Sequence, residues 1–245
     1  MYRPATAVLA LFSAATVLAQ PNVHQVIVLN EGYFDMGTQT QVVPVTLGSY
    51  DPMNATYQSV ATINGPRFAS DVEVKDGLIF VAADDRLLKY DADTYDLLDQ
   101  ETIIGIRQLA LWNDKVLLTR GELGGLPHYF EVRDGATLDL VYAVTPADGL
   151  LYSAEDVEVL NDRAYLAVGN AFDWGNLVGK VVTIDLVLGT YENEVDLGPN
   201  GLNPENIMIS GTDLFVLNNK DFTGSSISRL STGNGALAYT ADVAL

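Results

Sequence analysis

A strand–turn–strand unit recurs along this chain and limits what it can fold into. A short alternating segment appears as DVEV (Asp71 to Val74), QLAL (Gln108 to Leu111), DVEV (Asp156 to Val159) and NIMI (Asn206 to Ile209). A polar turn follows each one: Lys75-Asp76-Gly77, Trp112-Asn113-Asp114, Leu160-Asn161-Asp162 and Ser210-Gly211-Thr212. Asn, Asp and Gly tolerate the backbone that tight hairpins need. Nearly continuous apolar segments come next: LIFVAA (Leu78 to Ala83), KVLLTR (Lys115 to Arg120), AYLAVGN (Ala164 to Asn170) and LFVLNN (Leu214 to Asn219). Such runs mark strands covered on both faces.

Another turn recurs as YDPMNAT (Tyr50 to Thr56), YDADTY (Tyr90 to Tyr95), VRDGAT (Val132 to Thr137), IDLVLGT (Ile184 to Thr190) and LSTGNGA (Leu230 to Ala236). Its corresponding positions Asp51, Asp91, Arg133, Asp185 and Ser231 lie 40, 42, 52 and 46 residues apart. A period of about 45 suits a four-stranded blade. Helical periodicity is nearly absent after the first residues. The expected fold is therefore all-β, a β-propeller of four-stranded antiparallel blades over residues 20–245. The blades fall at about 24–65, 67–104, 106–147, 152–198 and 203–245. In the first, HQVIVLN (His24 to Asn30) matches the second strand of the others, and no inner strand precedes it. The expectation is an open or incomplete ring, either part of a longer propeller or five blades with one of three strands.

Residues 1–19 read as a signal peptide. Arg3 gives a short positive start, Ala5 to Leu18 is apolar, and Val17-Leu18-Ala19 offers a cleavage site. The stretch is short for a membrane span, and no later segment is apolar enough for one. Export places the protein outside the cell, in a periplasm or at a cell surface. Without Arg3, 12 basic residues face 32 acidic ones, a net charge of −20. That surface repels nucleic acid and anionic lipid and suits divalent cations or a basic partner. There is no cysteine, so disulfides and thiolate metal sites are excluded.

Strands ending in Asn, IVLN at 27–30, AVGN at 167–170 and FVLN at 215–218, together with the Ile184-Asp185…Gly189-Thr190 turn, resemble the secreted YVTN-type propellers. That superfamily also holds quinoprotein amine dehydrogenase β-chain-like domains. The resemblance runs from about residue 24 to 245 and implies a propeller of the cell surface or periplasm, a group in which many members have no assigned activity. Blade 3 departs from it, with Thr119-Arg120-Gly121 in place of the Asn ending.

First strands start on the face of the disc where second strands end. That face should gather Asn30, Glu31, Asp71, Arg107, Arg120, Asp156, Asn170, Asp173, Trp174, Asn206 and Asn218 around a channel mouth as ligand-binding candidates. The longer loops at Gly32–Gln41, Gly121–His128, Ala171–Gly179 and Lys220–Ser225 lie there too. Oxygen ligands suit Ca²⁺, for which Glu31, Asn170, Asp173 and Asn218 are the candidate set. No other cofactor is expected. The main reading is a binding module for a protein, small-molecule or glycan ligand. The alternatives are a Ca²⁺-dependent hydrolase of lactonase type and a structural part of a larger surface protein. Known catalytic motifs fail. His24 and His128 are the only histidines and stand far apart, no G-x-S-x-G occurs, and Gly121 to Pro127 lacks the Gly-Lys-Ser/Thr ending of a phosphate loop.

Overall fold

In the computed structural model, which describes residues 23–220 and 224–243, the repeats form successive antiparallel meanders. Blade 2 runs Asp71–Lys75, Leu78–Ala83, Arg86–Asp91 and Leu97–Thr102. Blade 3 runs Ile106–Trp112, Lys115–Arg120, Phe130–Asp134 and Leu140–Val144. Blade 4 runs Ala154–Leu160, Arg163–Val168, Lys180–Asp185 and Thr190–Asp196. Blade 5 runs Pro204–Ser210, Asp213–Asn218, Ser226–Ser231 and Leu237–Asp242. Among the described residues blade 1 has three strands, with Val26–Asn30 and Thr56–Ile63 flanking Val45–Asp51. No sheet joins strands from the two ends of the described chain, so the ring is open. The signal-peptide residues lie outside the described ones.

The turns form as their residues dictate. Asp76, Asn113, Asn161 and Asp162 take positive φ between 50 and 58°, and Gly77 and Gly211 lie at 79 and 63°. In the second family of turns, Asp51, Asp91, Asp134 and Asp185 each accept the amides two and three residues ahead through one carboxylate oxygen. This local bond accounts for the recurring Asp.

Apolar side chains from facing blades fill the spaces between them. Blade 3 meets blade 4 through Leu117, Phe130, Val132, Leu166, Val182 and Ile184. Leu47 and Val45 of blade 1 pack against Ile79 and Val81 of blade 2. The strands are apolar on both sides because each blade serves two such layers.

One loop expectation is corrected. Gly32–Gln41 contains a hairpin, in which Tyr33–Asp35 pairs with Thr40–Val43. Asp35 holds its turn by accepting the Gly37 amide at 2.8 Å. The segment lacks apolar alternation, so a pairing set by the turn alone left no pattern to read. Among the described residues the only other regular element is a 3₁₀ turn at Pro146–Asp148, and no helix is long and apolar enough to cross a membrane.

Candidate functional site

First strands of neighbouring blades touch around the axis. Asp71 and Asp156 open the two DVEV segments and act there as stitches. Asp71 Oδ2 accepts the Leu109 amide of blade 3 at 2.7 Å, and Asp156 Oδ2 accepts the Ile207 amide of blade 5 at 2.8 Å. Their other oxygens accept the amides of Val72 and Val157, both at 2.8 Å. Asn206 also donates to Asp156.

Two residues on, Glu73 and Glu158 point to the same side of their strands. With both aspartates, Gln108 and Ala110 they line an axial cavity of about 340 Å³. Burial, then the charges of Asp71, Glu158 and Asp156, push Glu73 up to about 7. Burial and Asp156 also raise Glu158. Asp71 and Asp156 are raised by burial despite their amide bonds. Four carboxyls thus repel one another in a partly dry channel.

The second concavity lies between the loops of blades 3 and 4, on the face where second strands end. Glu122, Gly124, Gly125, Tyr129, Ser153, Asn170, Phe172 and Asp173 line about 300 Å³. Gly124 and Gly125 sit at φ 90 and 82°, which a side chain would strain. The blade 4 loop is closed on itself. Asn170 Nδ2 donates to Asn176 O at 3.0 Å, and Asn176 Nδ2 donates to Asp173 Oδ2 at 2.9 Å. Phe172 covers Gly121, where an added Cβ would meet the ring at 2.5 Å. Behind the ring, the Arg107 guanidinium stands 5.5 Å from its centroid and donates to Glu155 Oε2 at 2.7 Å. Thr119 Oγ1 donates to Glu155 O at 2.9 Å, tying this floor to blade 3. Ser153 lines the cleft at 3% exposure, and its buried hydroxyl has no hydrogen-bond partner among the described residues. A buried hydroxyl left unpaired is costly, so such a group marks a place where a bound species or water would complete the structure.

The candidates from the sequence separate into distinct settings. Asp71 and Asp156 line the channel, and Asn206 bonds to Asp156. Arg107, Asn170 and Asp173 build the cleft, and Trp174, 73% exposed, stands on the same loop. Asn30 donates to Thr46 Oγ1 and Tyr57 Oη, both at 3.0 Å, inside blade 1. Glu31 lines a separate hollow with Tyr33, Phe34, Met36, Arg67 and Phe68.

Arg120 and Asn218 are buried rather than at a mouth. Arg120 donates to Ile104 O at 2.9 and 3.1 Å and to Glu131 Oε2 at 3.2 Å. Glu131 is also held by Arg133 at 2.6 Å and His128 at 2.5 Å. Burial works against its charge, but His128 and the two arginines keep its carboxyl below the usual range. Asn218 Nδ2 donates to Ser226 Oγ and Ser228 Oγ at 3.0 and 2.9 Å.

The shared Asn endings are not one structural position. By register Asn218 aligns with Val168, since both pair with the residue before a bulge in the first strand, whereas Asn170 lies two residues further on. The proposed metal set is therefore spread over the Glu31 hollow, the cleft and the blade 5 interior. Among the described residues no three His, Cys, Asp or Glu side chains group so as to hold a metal ion.

Sequence reasoning passed over Glu73, Glu158, Tyr129 and Ser153. The first two were within reach, because positions two apart in DVEV share a face. Ser153 carries no local signal.

No family model matches the chain, and no curated protein does. Many solved structures resemble it, BamB and Sqt1 among them. BamB from Moraxella catarrhalis is 12% identical with a TM-score of 0.55, over 87% of this chain and 64% of that one. Sqt1 from Saccharomyces cerevisiae is 11% identical with a TM-score of 0.61, over 81% of this chain and 56% of that one. This chain thus spans less than two thirds of either length. At such identities the likeness concerns fold alone, and the fold it shows is the β-propeller.

Proposed function

We propose that the protein is an exported β-propeller of the YVTN-like kind that acts as a binding module and holds its ligand in the cleft between the loops of blades 3 and 4. The unpaired, buried Ser153 hydroxyl carries this reading. Around it stand aromatic rings, carboxylates and an amide, the mixture by which ligand sites fix orientation. The loops are anchored to rigid strands, the usual arrangement for recognition surfaces. The first 19 residues support export. The test is a ligand screen by heteronuclear NMR on the mature chain. Specific shifts at Gly124, Ser153 and Asn170 that vanish in Ser153→Val with Tyr129→Ala support the reading. Binding confined to other surfaces overturns it.

A further inference from the structure

The chemistry of the cleft narrows the ligand, on the assumption that the cleft is the binding site proposed above. Each of its polar side chains can accept a hydrogen bond. Glu122 and Asp173 supply carboxylates. Asn170 spends its Nδ2 on Asn176 O and so offers its Oδ1. The Ser153 and Tyr129 hydroxyls can each accept. Among the described residues no lysine or arginine lines the cavity. Arg67 only reaches Glu122 from outside, at 3.9 Å, and Arg107 is engaged by Glu155 behind Phe172. The rings of Tyr129 and Phe172 offer electron-rich surface beside these acceptors.

A wall of acceptors without a resident cation fits a ligand that brings both donors and positive charge. We propose that the cleft binds a protonated primary amine, carried by a small diamine or by a lysine side chain. The ammonium group presents three donors and no acceptor, the complement of this lining. A chain of net charge −19 also draws cations toward its surface. A carboxylate ligand would meet Glu122 and Asp173 with no compensating cation. A neutral sugar would leave those charges unneutralised.

The test uses the mature chain and calorimetry with four probes: putrescine, the peptide Gly-Lys-Gly, its norleucine counterpart Gly-Nle-Gly, and maltose. Putrescine or Gly-Lys-Gly should bind, and the better of the two identifies the carrier of the amine. Gly-Nle-Gly and maltose should bind at least tenfold more weakly. Asp173→Asn and Glu122→Gln should each lower amine affinity about tenfold, the scale of one charged contact. Glu101→Gln, the same charge change on the exposed outer strand of blade 2, should leave it unaltered. Equal losses in all three variants would reduce the effect to bulk charge and overturn the proposal. Maltose binding that depends on Ser153 and Tyr129, without amine binding, overturns the amine class and leaves the binding module standing. No binding heat with any of the four probes, while the variants keep wild-type melting temperature, overturns the amine class, and the ligand screen above then decides the binding module.

Discussion

Blades 4 and 5 come from the same repeat and share the same pairing register, yet their second strands have different surroundings. In blade 4, Arg163–Val168 is buried from Ala164 onward. In blade 5, Asp213–Asn218 alternates, with Leu214 and Val216 buried while Leu217 is 42% exposed. Met208, Ile227 and Tyr239 are exposed on neighbouring strands. The inner layer of blade 5 resembles that of blade 4, since Leu214, Val216 and Leu230 pack with Tyr165, Ala167 and Val181. A continuous apolar run therefore specifies a strand fit for two neighbours. Whether both are present is a property of the array.

The largest effect that would test this contrast is Leu166→Ala, which empties a fully buried site in blade 4 and should cost about 2–5 kcal/mol. The matching Leu217→Ala in blade 5 should cost less than about 1 kcal/mol, since its side chain is already half in water. Urea unfolding of both variants reads the difference, and equal losses would mean that the outer face of blade 5 is covered in solution. Next comes Asp156→Ala, which deprives the Ile207 amide of its acceptor between these two blades. It should cost about 1–3 kcal/mol, offset in part by relief of repulsion in the channel. Asn206→Ala in blade 5 should change stability by less than about 0.5 kcal/mol.

The channel offers a finer test, because Met208 of blade 5 stands where blade 4 has Glu158. Replacing Glu158→Met should bring Glu73 down from about 7 toward the usual carboxyl range, as seen in an NMR titration of its side chain. The sign for stability follows from the direction of that shift. A carboxyl raised on folding costs nothing below its unfolded value near 4.5, and its penalty grows as pH rises through about 7. Glu73→Gln should thus be neutral at pH 4 and stabilising by about 1 kcal/mol at pH 8, after allowance for solvent screening. Stabilisation at pH 4 instead would mean that Glu73 acts through packing.

Much of the fold was legible because each blade repeats the same local instructions. Asp and Gly fix the turns, and alternation assigns the faces. That the described part of blade 1 pairs three strands was visible for the same reason, as a gap in a periodic text. The cleft was legible only in part. Asn170 and Asp173 stood out as loop residues, but Ser153 belongs to a neighbouring strand entry and meets them only once blades 3 and 4 are side by side. Arg120 and Asn218 misled because a strand end looks like a rim in sequence. In the folded blades Arg120 is tied to Ile104 O and Glu131, and Asn218 to Ser226 and Ser228, which holds both side chains inside. The Asn endings misled because Asn170 lies two residues beyond the register position that Asn218 holds, and composition carries no register.

The aspartate stitches have a consequence for how the molecule comes apart. Each joins one blade only to the next, and each apolar layer is likewise shared by two neighbours. Cohesion is then a sum over adjacent units, as in a one-dimensional chain of coupled elements. Such a chain frays from its ends, and an interior unit opens only when two couplings fail together. The cleft between blades 3 and 4 lies between two interior blades of the described arc, at a junction held by the shared apolar layer and by Glu155, which binds Arg107 and Thr119, rather than by an aspartate stitch.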